Sequence, residues 1–109
     1  GDGLGQPGAP AAAPWGPDTL DWRTLAAADA EARGFERHWH AVARVPWLHH
    51  PERGLWVTYD DPRSIRHKAA YAALRGLAGV MIWELAGDDG RLIQAVADGL
   101  AAVPQSASR

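Results

Sequence analysis

Apolar and polar positions along this chain change period several times, and each change marks a predicted element. Residues 1–17, rich in Gly, Pro and Ala, show no period and read as an irregular loop, with Trp15 set between Pro14 and Gly16. Asp18 or Thr19 can cap a helix with Trp22, Leu25 and Ala32 on one face, ending before Gly34. Phe35, Arg37 and Trp39 then alternate with Glu36, His38 and His40, the period-two signature of a strand. Val45-Pro46-Trp47-Leu48 and Leu55-Trp56-Val57-Thr58-Tyr59 read as two further strands, joined by the turn-rich His49-His50-Pro51-Glu52-Arg53-Gly54. Pro46 has no N–H for a ladder, so its strand is expected to lie at an edge or to begin there. These elements describe a small antiparallel sheet with one helix.

The pattern then turns helical. Asp61 is placed to cap a helix with Pro62 at its first position, where a missing N–H costs nothing. Ile65, Ala69 and Ala72 share a face, and Gly76 ends the helix. Val80 to Ile82 form a continuous apolar run, as a parallel strand covered on both faces would. Gly87-Asp88-Asp89-Gly90 turns the chain, and Leu92, Ile93, Val96, Ala97 and Leu100 recur at helical spacing. This order suits the closing part of a parallel barrel. Yet a lone parallel strand between two helices has two hydrogen-bonding edges and no neighbours in this chain, so the second half reads as part of something larger.

Length bounds the picture. A (β/α)8 barrel takes about 250 residues, and this chain has 109. It opens with Gly-Asp-Gly instead of Met and carries no signal-peptide apolar core, so its natural start is expected to lie upstream. Net charge is −2 with scattered basic residues, which leaves no basic stripe for nucleic acid or an anionic membrane, and no apolar run is long enough to span one. With no cysteine there is neither a disulfide nor a thiolate metal site. The six Trp, against one Phe and two Tyr, change the reading most. Each indole carries roughly 150–250 Å² of surface, more than so small a chain can readily bury six times, and an exposed flat indole suits the apolar face of a pyranose ring.

At the level of ordered motifs the chain resembles the glycoside hydrolase family 18 chitinases, in their C-terminal third. The residues that carry the likeness are Tyr59-Asp60-Asp61-Pro62, then Ser64, Lys68 and Tyr71, then Gly79-Val80-Met81-Ile82-Trp83-Glu84-Leu85 and Asp88-Asp89. Earlier come Pro14-Trp15 with Asp21-Trp22-Arg23, and Trp39 with Val45-Pro46-Trp47. The likeness runs from about residue 4 to 100 and departs from the pattern twice, with His40 where the family usually has Asp and Gly16 where it often has Glu. It implies an α+β chain: a small antiparallel insertion domain with one helix over residues 1–61, the closing helix-strand-helix of a (β/α)8 barrel over 62–103, and a disordered tail over 104–109.

The resemblance further implies retaining, substrate-assisted hydrolysis of β-1,4-linked N-acetylglucosamine, in which the 2-acetamido carbonyl attacks the anomeric carbon while an enzyme Glu protonates the leaving oxygen. That Glu belongs to an Asp-Gly-x-Asp-x-Asp-x-Glu run, which does not occur here. No catalytic residue is therefore assigned, and the isolated segment is expected to be inactive. Glu84 follows Trp83 and in a pleated strand would face the other way. The substrate-binding residues the resemblance implies are Trp83 as the floor beneath a sugar, Trp15 as a wall, and more weakly Tyr59 and Asp60. Expected partners are chitin or chito-oligosaccharide and the remaining barrel strands of the parent chain, with a secreted or extracellular location and no cofactor. Two alternatives stand beside this. One is a non-catalytic chitin- or oligosaccharide-binding module, or a chitinase-like lectin. The other is a zinc site drawing on His38, His40 and His49 or His50, for which no acidic second shell is evident; no metal ligand is assigned.

Overall fold

A computed structural model describes residues 4–9, 12–13, 16–17 and 19–102. The chain divides into two compact units, Gly1–Tyr59 and Asp60–Arg109.

The first unit opens with two short antiparallel strands, β1 (Ala12–Ala13) and β2 (Gly16–Pro17), which pair Ala12 with Pro17 and Ala13 with Gly16. The expected irregular loop thus contains a minimal ladder, built from residues with no side-chain alternation to betray it. Helix α1 (Trp22–Ala27) is shorter than its pattern predicts. Asp21, not Asp18 or Thr19, is the N-cap, and its carboxylate accepts the N–H of Thr24 at 2.8 Å. Ala28 caps the other end and Asp29 takes a left-handed φ of 49°, so Ala32 falls in the following turn and not on the helix.

Three strands follow: β3 (Glu36–His40), β4 (Val45–His50) and β5 (Leu55–Thr58), antiparallel in the order β3-β4-β5. His49 and His50, expected in the turn, belong to β4. Pro46 lies in the central strand, which corrects the edge placement, but it is the second residue of that strand. The β5 ladder begins only at Trp47 opposite Thr58, so the missing N–H falls where no third strand pairs. Alternation along β4 sends Pro46, Leu48 and His50 into the interior, with Leu48 only 1% exposed. Leu48 packs with Leu25, Ala30 and Phe35, and Leu20, Leu55, Val57 and Tyr59 close around them. On the outer face His38 lies flat on Trp47, ring centroids 4.0 Å apart, and Trp47 leans on Trp56 at 5.9 Å.

The second unit holds two helices, α2 (Pro62–Leu74) and α3 (Arg91–Ala102), packed together. Helix α2 starts and stops as the sequence predicts, with Asp61 as N-cap, Pro62 in the first turn and Gly76 at φ 68° just beyond the end. Its cap is reciprocal: Asp61 accepts the N–H of Ser64 at 2.8 Å, and Ser64 Oγ accepts the N–H of Asp61 at 2.9 Å. The side chains that seal the helix pair are small. Ser64, Ala69, Ala72, Ala95 and Gly99 are buried, while Ile93 on the predicted apolar face of α3 is 44% exposed. Backbones meet closely at Gly99, where a Cβ would stand 2.5 Å from the carbonyl oxygen of Arg66 and 2.7 Å from Cβ of Ala69. Between the helices, residues 79–84 join no ladder among the described residues, so the expected strand over Val80–Ile82 is unpaired here. A 3-10 turn (Leu85–Gly87) follows. No described helix is long and apolar enough to cross a membrane.

Candidate functional site

The site residues expected from the sequence fall in different surroundings. Trp15 lies outside the described residues.

In the first unit Tyr59 is a half-buried member of the core margin. Its ring stacks on Trp22 at 6.4 Å and 15°, and its hydroxyl oxygen accepts a hydrogen bond from Arg37 Nη1 at 2.7 Å. Arg37 is itself held by Glu31, which accepts from Nε at 3.0 Å and Nη2 at 2.8 Å. Both charged partners are at least half exposed, so solvent screening leaves the ion pair little net strength, and its role is to orient the phenol. Arg37 and Glu31 were not legible as partners of Tyr59, because 22 positions separate Arg37 from it in sequence. Only the shared inner face of the sheet joins them.

Asp60, in the second unit, is committed to the start of α2. Lys68 Nζ donates to both its oxygens at 2.7 and 2.8 Å, and Ser64 Oγ donates to Oδ1 at 2.8 Å. The other paired acids are also structural. Asp88, buried, accepts the N–H groups of Leu92 and Ile93 at 3.0 Å each, satisfying donors that the first turn of α3 leaves unpaired. Asp89 accepts from Arg91 at 2.7 Å, and this hydrogen bond holds the guanidinium above its ordinary value. The acidic pairs at 60–61 and 88–89 therefore serve helix ends.

Trp83 stands apart. It is 87% exposed, in a run where Leu77, Val80, Met81, Ile82 and Leu85 are each at least 40% exposed. The Trp83–Glu84 peptide bond is cis. Glu84 sits at the N-cap of the 3-10 turn and makes no side-chain capping bond. Because the run joins no ladder among the described residues, strand alternation does not set which way Glu84 faces in this structure. An indole this open, on an apolar run, can stack on the hydrocarbon face of a sugar ring.

The imidazoles are engaged elsewhere. His38, His40 and His49 lie on the outer face of the sheet and His50 on the inner. His38 Nε2 lies 3.4 Å from Glu36 Oε1 and the ring covers Trp47, while His40 and His50 accept backbone N–H groups in the two tight turns. Among the described residues no group of three His, Asp or Glu side chains could hold a metal ion.

Comparison with known proteins agrees with the motif pattern. The family model for glycosyl hydrolases family 18 matches residues 2–88. Chitinase A1 of Niallia circulans is 35% identical over 80 residues, covering 73% of this chain and 11% of the relative. Among solved structures, a multi-modular cell-surface chitinase of Paenibacillus is 35% identical at a TM-score of 0.66, covering 73% of this chain and 10% of that one. A family 18 N-acetylglucosaminidase of Paenibacillus barengoltzii is 42% identical at a TM-score of 0.56, covering 62% and 20%. The chain thus spans only a small part of the length of these proteins. With a match over most of its residues, the chain belongs to glycosyl hydrolases family 18.

Proposed function

We propose that this chain is the C-terminal part of a chitinase-like hydrolase that cleaves β-1,4-linked N-acetylglucosamine polymers by a retaining, substrate-assisted mechanism. In this reading the chain supplies substrate-binding walls, residues 62–103 complete a (β/α)8 barrel, and the acid that protonates the leaving group comes from elsewhere in the parent protein. Trp83 is the sugar-facing floor, Trp15 a wall, and Tyr59 and Asp60 mark the junction where an inserted domain returns the chain to the barrel. The supporting observation is the exposed apolar run around Trp83. A contiguous apolar run as exposed as Leu77, Val80, Met81, Ile82 and Trp83 is the kind of surface that takes a partner, and the matched relatives are several times longer than this chain. Chitin is the substrate class that the names of the matched relatives suggest. A secreted location belongs to the same proposal.

Titration of the 109-residue chain with chito-oligosaccharide, followed by Trp fluorescence, tests the binding part, and release of a chromogenic leaving group tests the chemical part. The expected result is quenching that Trp83→Ala abolishes, without turnover. Turnover by the chain alone would overturn the placement of the acid, and quenching that survives Trp83→Ala would overturn the floor. The second reading, a non-catalytic sugar-binding module, is favoured by the structural commitment of Asp60, Asp61, Asp88 and Asp89. It requires that the parent chain bind chito-oligosaccharide without cleaving it.

A further inference from the structure

Both tight turns of the three-stranded sheet are closed in the same way. In the β3–β4 turn, Nδ1 of His40 accepts the backbone N–H of Ala43 at 2.9 Å. In the β4–β5 turn, Nδ1 of His50 accepts the backbone N–H of Arg53 at 3.2 Å. Each histidine is the last residue of its strand and serves the amide three positions on, a task that Asp and Asn side chains ordinarily perform at turns.

An imidazole differs from those side chains in one respect that matters here. Neutral, it has one acceptor nitrogen and one N–H; protonated, it has two donors and no acceptor. Acceptance at Nδ1 places the hydrogen on Nε2 in both rings. A second proton would put an N–H at Nδ1, pointing at the N–H it had served. His50 has little room to turn away: it is 7% exposed, its ring meets Phe35 edge-on at 5.1 Å, and Gly34 leaves so narrow a gap that a Cβ there would stand 2.7 Å from Nε2.

The charged neighbours do not offset this. Around His50 these are Glu52 and Arg53 in the turn, with Arg37 on the same sheet face, already held by Glu31 and Tyr59; Leu55 is its cross-strand partner. Around His40 they are Arg44 in the turn and, along β3, His38 and Glu36, which contact each other; Val45 lies opposite. Among the described residues no carboxylate pairs with His40 or His50.

We infer that His40 and His50 are paired, proton-sensitive turn caps: deprotonated, they close both turns of the sheet, and protonated, they release both. The sheet therefore loosens at its two turns once these imidazoles take up protons. Nothing in this depends on sugar binding.

Nuclear magnetic resonance on the ¹⁵N-labelled chain tests it. Before acid is added, both rings are expected as Nε2–H tautomers with bare Nδ1. As acid is added and the ring nitrogen signals report protonation of each histidine, the amide it serves, Ala43 or Arg53, should shift and lose about tenfold in exchange protection, corrected for the intrinsic rate, the scale of one hydrogen bond. His40→Asn, which keeps an acceptor that does not titrate, should abolish the change at Ala43 and retain it at Arg53. An Nδ1–H tautomer at either ring near neutrality would overturn the inference. So would amides indifferent to pH, or a response at Ala43 that survives His40→Asn.

Discussion

The two units solve the problem of a small core in opposite ways. The sheet unit buries large side chains, Leu25, Phe35 and Leu48, against one another and finishes its core with residues of its own. The helical unit buries Ser64, Ala69, Ala72, Ala95 and Gly99, all small, and leaves Leu74, Leu77, Met81, Trp83 and Leu85 more than half exposed. Large interior groups bring most of the transfer free energy, at roughly 25 cal/mol per Å² of apolar area buried. Small ones bring close backbone approach and little else. One unit is thus stabilised by what it contains, and the other by how tightly two backbones meet, with most of its large apolar surface still unspent.

The largest expected effect breaks the first half of that contrast. Leu48→Ala should destabilise the sheet unit by about 2–5 kcal/mol, since the interlocked strands on either side of β4 cannot collapse into the gap. Hydrogen exchange resolved by residue should show the loss in β3, β4 and β5 while α2 and α3 keep their protection. An equal loss in both units would show that they share one cooperative core. Gly99→Ala probes the second half and should cost about 1–3 kcal/mol, because the new methyl meets the backbone of Arg66 as well as a side chain. The expected readout is lowered thermal stability with α2 and α3 still helical by circular dichroism. An unchanged melting temperature would mean that the helices part without penalty.

The smallest effect concerns the edge of the sheet unit. Hydrogen bonds from Thr24 hold the Asp21 carboxyl below its ordinary 3.8, so its capping contribution is complete above that value and is lost as pH falls below it. Amide protection at Thr24 should fall in that acid window. Loss of Thr24 protection already at about pH 6, well above the carboxylate range, would show that the cap does not rest on the Asp21 carboxyl.

How far the fold could be read from the sequence follows the reach of the forces involved. Helix α2 was legible to the residue because Asp61, Pro62 and Gly76 act within a turn of themselves. Helix α1 was read too long. Apolar spacing continues to Ala32, and nothing in it shows that Asp21 would outcompete Asp18 and Thr19 as cap or that Asp29 would turn left-handed. The strands β1 and β2 carry Ala, Gly and Pro and so have no alternation to detect. The run at Val80–Ile82 was legible as apolar, but pairing is a property of neighbours, and among the described residues no strand pairs with it. Trp83 could be singled out only by the ordered motifs around it. The Arg37–Tyr59 contact could not be foreseen, since it depends on a sheet register that no local signal fixes.

The polar knot at the start of α2 bears on the order of events during folding. Asp60, Asp61, Ser64 and Lys68 close on one another across at most eight positions of sequence. Loops that short close at little entropic expense, and contacts of such low order form early. The helix can therefore set its own beginning before any distant segment has found its place. The exposed apolar run that begins three residues after Leu74 is then carried on a support already finished.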